Sequence, residues 1–280
     1  MVSVCMPVRN GMPYIQQAIE SVINQTYQNW ELIICDNGST DESLTVARDL
    51  AAKNSHKNIR VIPYTEVCGM AENWNRTMEQ ATGKYIKVLP CDDNLRPDCL
   101  QLQAEALEKH SNCGLALSGK TIIDATGRMF FSRIAFADQE INYVIHGRKC
   151  LTAYGKNLFG EPGGGLFKRE LVSLVGAYDG SFKYYTDIEF WFRIMKQAPA
   201  RFIAQPLYEF RIHGNGTTRR SRDLFTAEYI RFLELYAGDF HLSNLRKRWL
   251  VLGARFTGWA RSMVINYLLA RGHRQSIAKS

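Results

Sequence analysis

Residues 84–100 read KYIKVLPCDDNLRPDCL. An apolar run of strand length, Lys84 to Leu89, stops at Pro90, and two neighbouring carboxylates, Asp92 and Asp93, follow at once. The segment from Pro97 to His110 then has helical spacing, with proline in the first turn, where a missing N–H is tolerated. Adjacent like charges repel unless a cation or hydrogen bonds compensate them. Either one Asp caps the following helix and the other is solvated, or the pair serves a hard divalent cation such as Mg²⁺ or Mn²⁺.

The same order, apolar strand, polar tip, helix, recurs upstream. Strands are expected at 2–6 (VSVCM), 31–35 (ELIIC), 59–63 (IRVIP), 84–89 and 114–119 (GLALSG). Helices are expected between them at 13–25, 39–53, 70–82 and 97–110. Ile15, Ile19, Val22 and Ile23 share one face of the first helix, and Ser39 with Glu42 reads as a capping box opening the second. Strands that are continuously apolar and alternate with helices predict an α/β fold with a parallel sheet covered on both faces. Ligands in such sheets sit at the carboxyl ends of strands, so Asp36-Asn37 and Asp92-Asp93 are expected to face one crevice. Asp-Asn-Gly at 36–38 is also ordinary turn chemistry.

Beyond residue 120 the pattern loosens. A turn is expected at 124–128, a glycine-rich connection at GEPGGGLFKRE (160–170), and an amphipathic helix at DIEFWFRIMKQ (187–197). After YEFRIHGNGTT (208–218) the chain reads as helical to its end.

Composition narrows the function. The 280 residues carry 35 Lys and Arg against 27 Asp and Glu, a net charge of +8. From Phe240 to Ser280 there are eight basic residues and no acid, so the preceding chain is balanced. That placement argues against a general nucleic-acid binder and for a local contact with something anionic. Seven scattered cysteines without a CxxC pair read as reduced core thiols. The start MVSVCMPVRN lacks the pattern of a secretory signal, and a cytoplasmic location is expected.

The opening, VSVCMPVRNGMPYIQQAIESVINQTYQNWELIICDNGSTDES, resembles the family 2 glycosyltransferases. The resemblance continues through GMAENWNRTMEQATGKYIKVLPCDDNLRPDCL, GEPGGGLFKRE, YYTDIEFWFRIM and YEFRIHGNGTT, covering residues 1 to 218. It implies a GT-A fold, a Rossmann-like, mostly parallel sheet with helices on both faces, and direct transfer that inverts the anomeric centre. The catalytic domain is expected at 1–218, with a basic helical extension at 219–280.

The resemblance also implies roles. Pro7 and Arg9 would line the nucleoside pocket, Asp36 and Asn37 would hold base and ribose, and Asp92 would approach the ribose or metal. Asp93 and His213 would bind the divalent cation, Mn²⁺ or Mg²⁺, with Arg211 and His213 at the diphosphate. Asp187 would be the catalytic base. Three positions depart from the family pattern. A guanidinium, Arg9, stands near where an aromatic is common, and Asn37 replaces the second acid of an Asp pair. Pro90 stands where the metal motif usually has its first acid.

Read without the resemblance, Thr186 or Asp187 caps a helix and Glu189 is a solvated first-turn acid; with it, Glu189 is the backup base. Arg211 and His213 alternate, so an extended backbone points both the same way, with Thr217 and Thr218 beside them. Glu161 could contact a sugar hydroxyl, and Gly163 to Gly165 either let backbone approach a sugar or form a turn. Asn73, Trp74 and Asn75 are expected to pack their helix.

The expected activity is transfer from a nucleotide-diphosphate sugar, a UDP-sugar by preference, to the hydroxyl of a glycan or lipid-linked acceptor in cell-surface polysaccharide or glycolipid synthesis. The alternatives are a non-catalytic sugar-nucleotide or glycan binding module, and a sugar-1-phosphate nucleotidyltransferase. The last would need a glycine-rich basic loop near the first strand, and PVRNGMPY has one glycine and one arginine. The tail stripe Trp249, Leu252, Phe256, Trp259, Met263, Tyr267 is read first as packing or homo-oligomer contact and second as peripheral attachment to the inner membrane face. Its longest charge-free run, Ser262 to Ala270, is too short to span a bilayer.

Overall fold

A computed structural model describes residues 1–153, 157–214 and 224–256. Ten strands form one sheet: β1 (Val2–Val8), β2 (Trp30–Asn37), β3 (Ile59–Tyr64), β4 (Tyr85–Val88), β5 (Asn94–Leu95), β6 (Leu115–Ile123), β7 (Met129–Arg133), β8 (Gln139–Ile141), β9 (Gly165–Lys168) and β10 (Ala200–Arg211). The order is β3-β2-β1-β4-β9-β6-β10-β5, with β7 paired to β6 and β8 to β10. Strands β1 to β4 run parallel, as do β6 and β10. The expected parallel sheet is therefore present, but β9 is wedged antiparallel between β4 and β6. Because β9 runs backwards, its leading residues 161–164 lie past the carboxyl end of β4 and beside Ser118 and Lys120 of β6.

The expected helices are α1 (Ile15–Ile23), α2 (Ser43–Lys53), α3 (Met70–Glu79) and α4 (Cys99–Lys109). The rest are α5 (Arg148–Leu151), α6 (Glu170–Val175), α7 (Thr186–Gln197) and α8 (Phe225–Tyr236). Side chains alternate across β1 with period two. Val2, Val4, Met6 and Val8 join α1 and α4 in one core, whereas Cys5 joins α3, α7 and α8 in the other. Both faces are thus covered, and the seven cysteines are free thiols, five of them buried.

Two starts differ from expectation. The helix expected from 13 begins at Ile15, after a cis Met12–Pro13 bond. The helix expected from 39 begins at Ser43, and no capping box forms. Ser39 Oγ instead accepts the N–H of Asn10, and Asp41 accepts from Ser43 and from the N–H of Met12. Those polar residues tie the β1–α1 and β2–α2 loops together, a use that competes with capping.

The C-terminal part is not a detached appendage. Phe225, Tyr229, Phe232 and Tyr236 of α8 pack in the same core as Phe192 of α7 and Tyr185 just before it. Residues 244–256 form a further helix. The expected boundary near 218, the Thr217-Thr218 pair, and Trp259, Met263, Tyr267 and the 262–270 run lie outside the described residues. Among the described residues no helix is long and apolar enough to cross a membrane.

Candidate active site

The expected residues gather at the carboxyl ends of the parallel strands. Asp36 stands at the end of β2, level with Val8 on β1 and Pro63 on β3. It is 3% exposed; Oδ2 accepts the N–H of Ser39 at 3.1 Å, and Oδ1 is buried with no hydrogen-bond partner among the described residues. A buried acceptor without a donor is costly, and it fits a ligand N–H or O–H. Pro7 lies buried near the end of β1 and Arg9 is exposed on the loop that follows it.

Asn37 stands beside Asp36 at the end of β2. Its Nδ2 donates to the Cys68 carbonyl at 2.9 Å, and its Oδ1 accepts the Cys68 N–H at 2.9 Å. The amide acts as a surrogate peptide group holding the loop before α3, with one N–H of Nδ2 left over.

Asp92 and Asp93 follow β4 and are not equivalent. Asp92 keeps a side chain 31% exposed, and its Oδ2 lies 2.9 Å from His213 Nε2. Asp93 is 1% exposed; its Oδ1 accepts the N–H of Arg211 at 2.9 Å, and its Oδ2 faces Gly163. Burial and the adjacent Asp92 charge hold the Asp93 carboxyl well above the usual carboxylate range.

Arg211, expected at the diphosphate, is held firmly within the protein. Nε donates to the Asp92 carbonyl at 2.9 Å, one Nη to the Asp124 carbonyl and the other to Gln17 Oε1, and the guanidinium stacks 4.7 Å from the Tyr14 ring centre. At 3% exposure it organises the Asp92-Asp93 turn, three of its five N–H groups donating within the protein. His213 packs on the other part of the same ring, centroids 4.7 Å apart. Alternation thus did bring Arg211 and His213 to one side, against Tyr14 and Asp92.

The other wall is the segment 157–165 with α7. Asp187 is 7% exposed in the first turn of α7. Oδ2 accepts from Asn157 Nδ2 at 3.0 Å and Oδ1 from the N–H of Ile188 at 2.9 Å, so each oxygen retains a free lone pair. Burial, and then the charge of Glu161, push its carboxyl up to about 7. Burial also works to raise Glu161, but its ion pair with Lys120 and the hydroxyl of Tyr208, donating at 2.6 Å, hold it low. Two nearby acids are therefore driven apart, one to a proton acceptor poised near neutrality and one to a fixed anion.

Glu189 is not a second base. Arg193 grips its carboxylate through Nε and Nη, and the Tyr236 hydroxyl donates to it at 2.8 Å. The turn before α7 is instead fixed by Glu228 of α8, which accepts the N–H groups of Lys183, Tyr184 and Tyr185 at 2.8–3.0 Å. Close packing sets the glycines. A Cβ on Gly164 would stand 2.7 Å from the Tyr208 ring, and one on Gly165 2.7 Å from Trp191. Beneath them the buried Lys87 donates to Gln103 Oε1, and Gln103 donates to the Gly164 carbonyl.

Sequence reading missed Asn157, Lys120, Tyr208, Tyr14, Gln17 and Glu228. Of these only Lys120 carried a signal: like Lys87, it interrupts an apolar strand, where a charge needs a buried partner. Among the described residues no cluster of three or more His, Cys, Asp and Glu side chains is placed to hold a metal by itself. Asp92 is paired with His213, and Asp93 accepts the N–H of Arg211, so a divalent cation there would need most of its ligands from phosphate oxygens.

The region at the strand ends thus carries a buried carboxyl pushed up to about 7 on one side and an acid pair with a histidine on the other. The chain belongs to glycosyl transferase family 2, whose model matches residues 3–176. It is 27% identical over 222 residues to an uncharacterised glycosyltransferase of Rickettsia prowazekii, covering 78% of this chain and 66% of that protein. The fold is similar to residues 1–349 of S. aureus TarS in complex with UDP-GlcNAc, with TM-score 0.67, 16% identity, 90% of this chain covered and 71% of that one. It is also similar to a mannosyltransferase of Pyrobaculum calidifontis in complex with GDP-Man and Mn²⁺, with TM-score 0.61, 18% identity, 99% of this chain covered and 80% of that one. Those two likenesses carry the GT-A fold, and this chain spans just under two thirds of the rickettsial relative.

Proposed function

We propose that this chain transfers a sugar from a nucleotide-diphosphate sugar, a UDP-sugar, to an acceptor hydroxyl with inversion. The observation that carries the reading is Asp187: a buried carboxyl near neutrality, aimed by Asn157, in a cleft shared with Glu161 and Asp93. The orphaned Oδ1 of Asp36 supports a nucleoside at the other end, because a uracil ring offers an N–H to such an acceptor.

In this account Asp36 accepts from the base, and Pro7 and Arg9 bound the nucleoside. Asp187 takes the proton of the acceptor hydroxyl as that oxygen attacks the anomeric carbon from the face opposite the diphosphate. The bond from that carbon to the diphosphate oxygen breaks, and its electron pair leaves with the nucleoside diphosphate. A divalent cation held by Asp92, Asp93 and His213 would neutralise charge developing on the leaving group. Arg211 keeps that turn in place, and the Lys120–Glu161–Tyr208 cluster fixes the segment against which the sugar rests. The bound UDP-GlcNAc, GDP-Man and Mn²⁺ of the similar structures support donor and cation classes, not the choice among them. The basic tail supports a lipid-linked acceptor in cell-surface glycan synthesis and attachment at the inner membrane face.

A mass-spectrometric screen of sugar nucleotides with Mn²⁺ and simple acceptors tests the reading. Transfer from one donor class is expected. Binding of UDP without turnover or donor hydrolysis would favour the non-catalytic module, and synthesis of sugar nucleotide from a nucleoside triphosphate would favour the nucleotidyltransferase.

A further inference from the structure

The helix at residues 244–256 has two apolar faces. Leu250 and Ala254 are buried, 5% and 0% exposed, and dock it on the protein. Leu245, Trp249 and Leu252 are 67%, 66% and 55% exposed. They recur at i, i+4 and i+7, so they form one stripe on the side away from the docked face. At roughly 100° per residue, exposed Arg246 falls about 90° to one side of the stripe, and exposed Arg248 and Arg255 about 70–90° to the other. A second exposed pair, Val144 and Ile145, with Arg148 and Lys149 following, sits on the segment whose Tyr143 stacks on Phe240.

An apolar stripe with a tryptophan, edged on both sides by arginines, can lie in a lipid headgroup layer, the rings and leucines in hydrocarbon and the guanidinium groups at phosphates. A second copy of the chain fits the same face badly. In a two-fold contact the stripe meets itself, which brings the arginine rows together. From Phe240 to Ser280 there is no acid to pair with them. A purely polyanionic partner would use the arginines but leave Leu245, Trp249 and Leu252 in water.

We infer that the Leu245–Trp249–Leu252 face with Arg246, Arg248 and Arg255 docks this protein on an anionic lipid bilayer, lying in its surface and not crossing it. The inference stands independently of the transfer reaction.

Flotation of the full chain with phosphatidylcholine vesicles, and with phosphatidylcholine–phosphatidylglycerol vesicles, tests it. Anionic vesicles are expected to capture the chain at least about tenfold better than neutral ones, and less so as salt rises. Replacing Arg246, Arg248 and Arg255 together by Ala should lower partitioning on the order of 100-fold. Trp249→Ser with Leu252→Ser should lower it about tenfold or more. Equal capture by neutral vesicles, or no capture by anionic ones, overturns the inference. That comparison uses the unaltered chain and decides even if a variant misfolds. A dimer in sedimentation equilibrium that Trp249→Ser with Leu252→Ser dissolves would give the face to a second copy. Heparin binding as tight as vesicle binding, both indifferent to that double variant, would give it to a polyanion. Either result overturns the lipid assignment.

Discussion

Asn157 donates from Nδ2 to Asp187 Oδ2 at 3.0 Å, joining the segment ahead of the Gly163 turn to the first turn of α7. A donor to the ionised form favours that form. With Asp187 near 7, the active, ionised base is expected to emerge as pH rises, so the rate should climb through a group near 7 and level above it. Asn157→Ala should move that limb to higher pH by a few tenths to at most about one unit. A pH–rate profile of the two proteins checks this.

Asp187 should also destabilise the fold at alkaline pH. Its folded value lies above that of an ordinary Asp, so the folded state holds the proton longer than the unfolded chain. The burial cost grows from about pH 4 to pH 7 and is fully present above. Asp187→Asn is therefore expected to stabilise the protein by about 2–4 kcal/mol at pH 8 and much less at pH 4. Urea unfolding at both values measures it, and equal effects at both would contradict the burial account.

Glu228 lies far from the reacting groups in sequence but supports Asp187 through the turn before α7. Glu228→Ala leaves three N–H groups without their acceptor and should cost about 2–4 kcal/mol in urea unfolding. Turnover should fall with it, because Asp187 sits in the first turn of that helix.

Two glycines separate crowding from backbone effects. Gly164→Ala drives a Cβ into the Tyr208 ring and should cost about 1–3 kcal/mol, with a loss of activity as Tyr208 leaves Glu161. At Gly69, the N-cap of α3, a Cβ meets nothing within 4 Å, so Gly69→Ala should cost at most about 1 kcal/mol, the preference for glycine over alanine at a cap, and leave activity intact. Thermal melts and initial rates of both variants distinguish the cases.

Much of this was legible in the sequence because the strands are buried on both faces and the loops between them are short. Periodicity located β1 to β4 and the helices between them to within a few residues, and the strand-end rule brought 36, 92 and 93 to one edge. What it could not reach depends on pairing between distant segments. That β9 runs antiparallel between β4 and β6 follows from no local pattern, yet it delivers Glu161 and Gly163 to the site. Asn37 and Arg211 were identified as polar residues in the right place, but their partners, the Cys68 backbone and Gln17, are invisible without the fold. A capping box at Ser39 is a local preference that lost to tertiary hydrogen bonds.

The central claim, that Asp187 is the base of a nucleotide-sugar transferase, is tested most directly by comparing the unaltered chain with Asp187→Asn. Donor affinity is measured by titration calorimetry with Mn²⁺ and transfer by mass spectrometry. Donor affinity should be unchanged within a few-fold while transfer falls on the order of 10²- to 10⁴-fold. Turnover of Asp187→Asn at the unaltered rate would contradict the account.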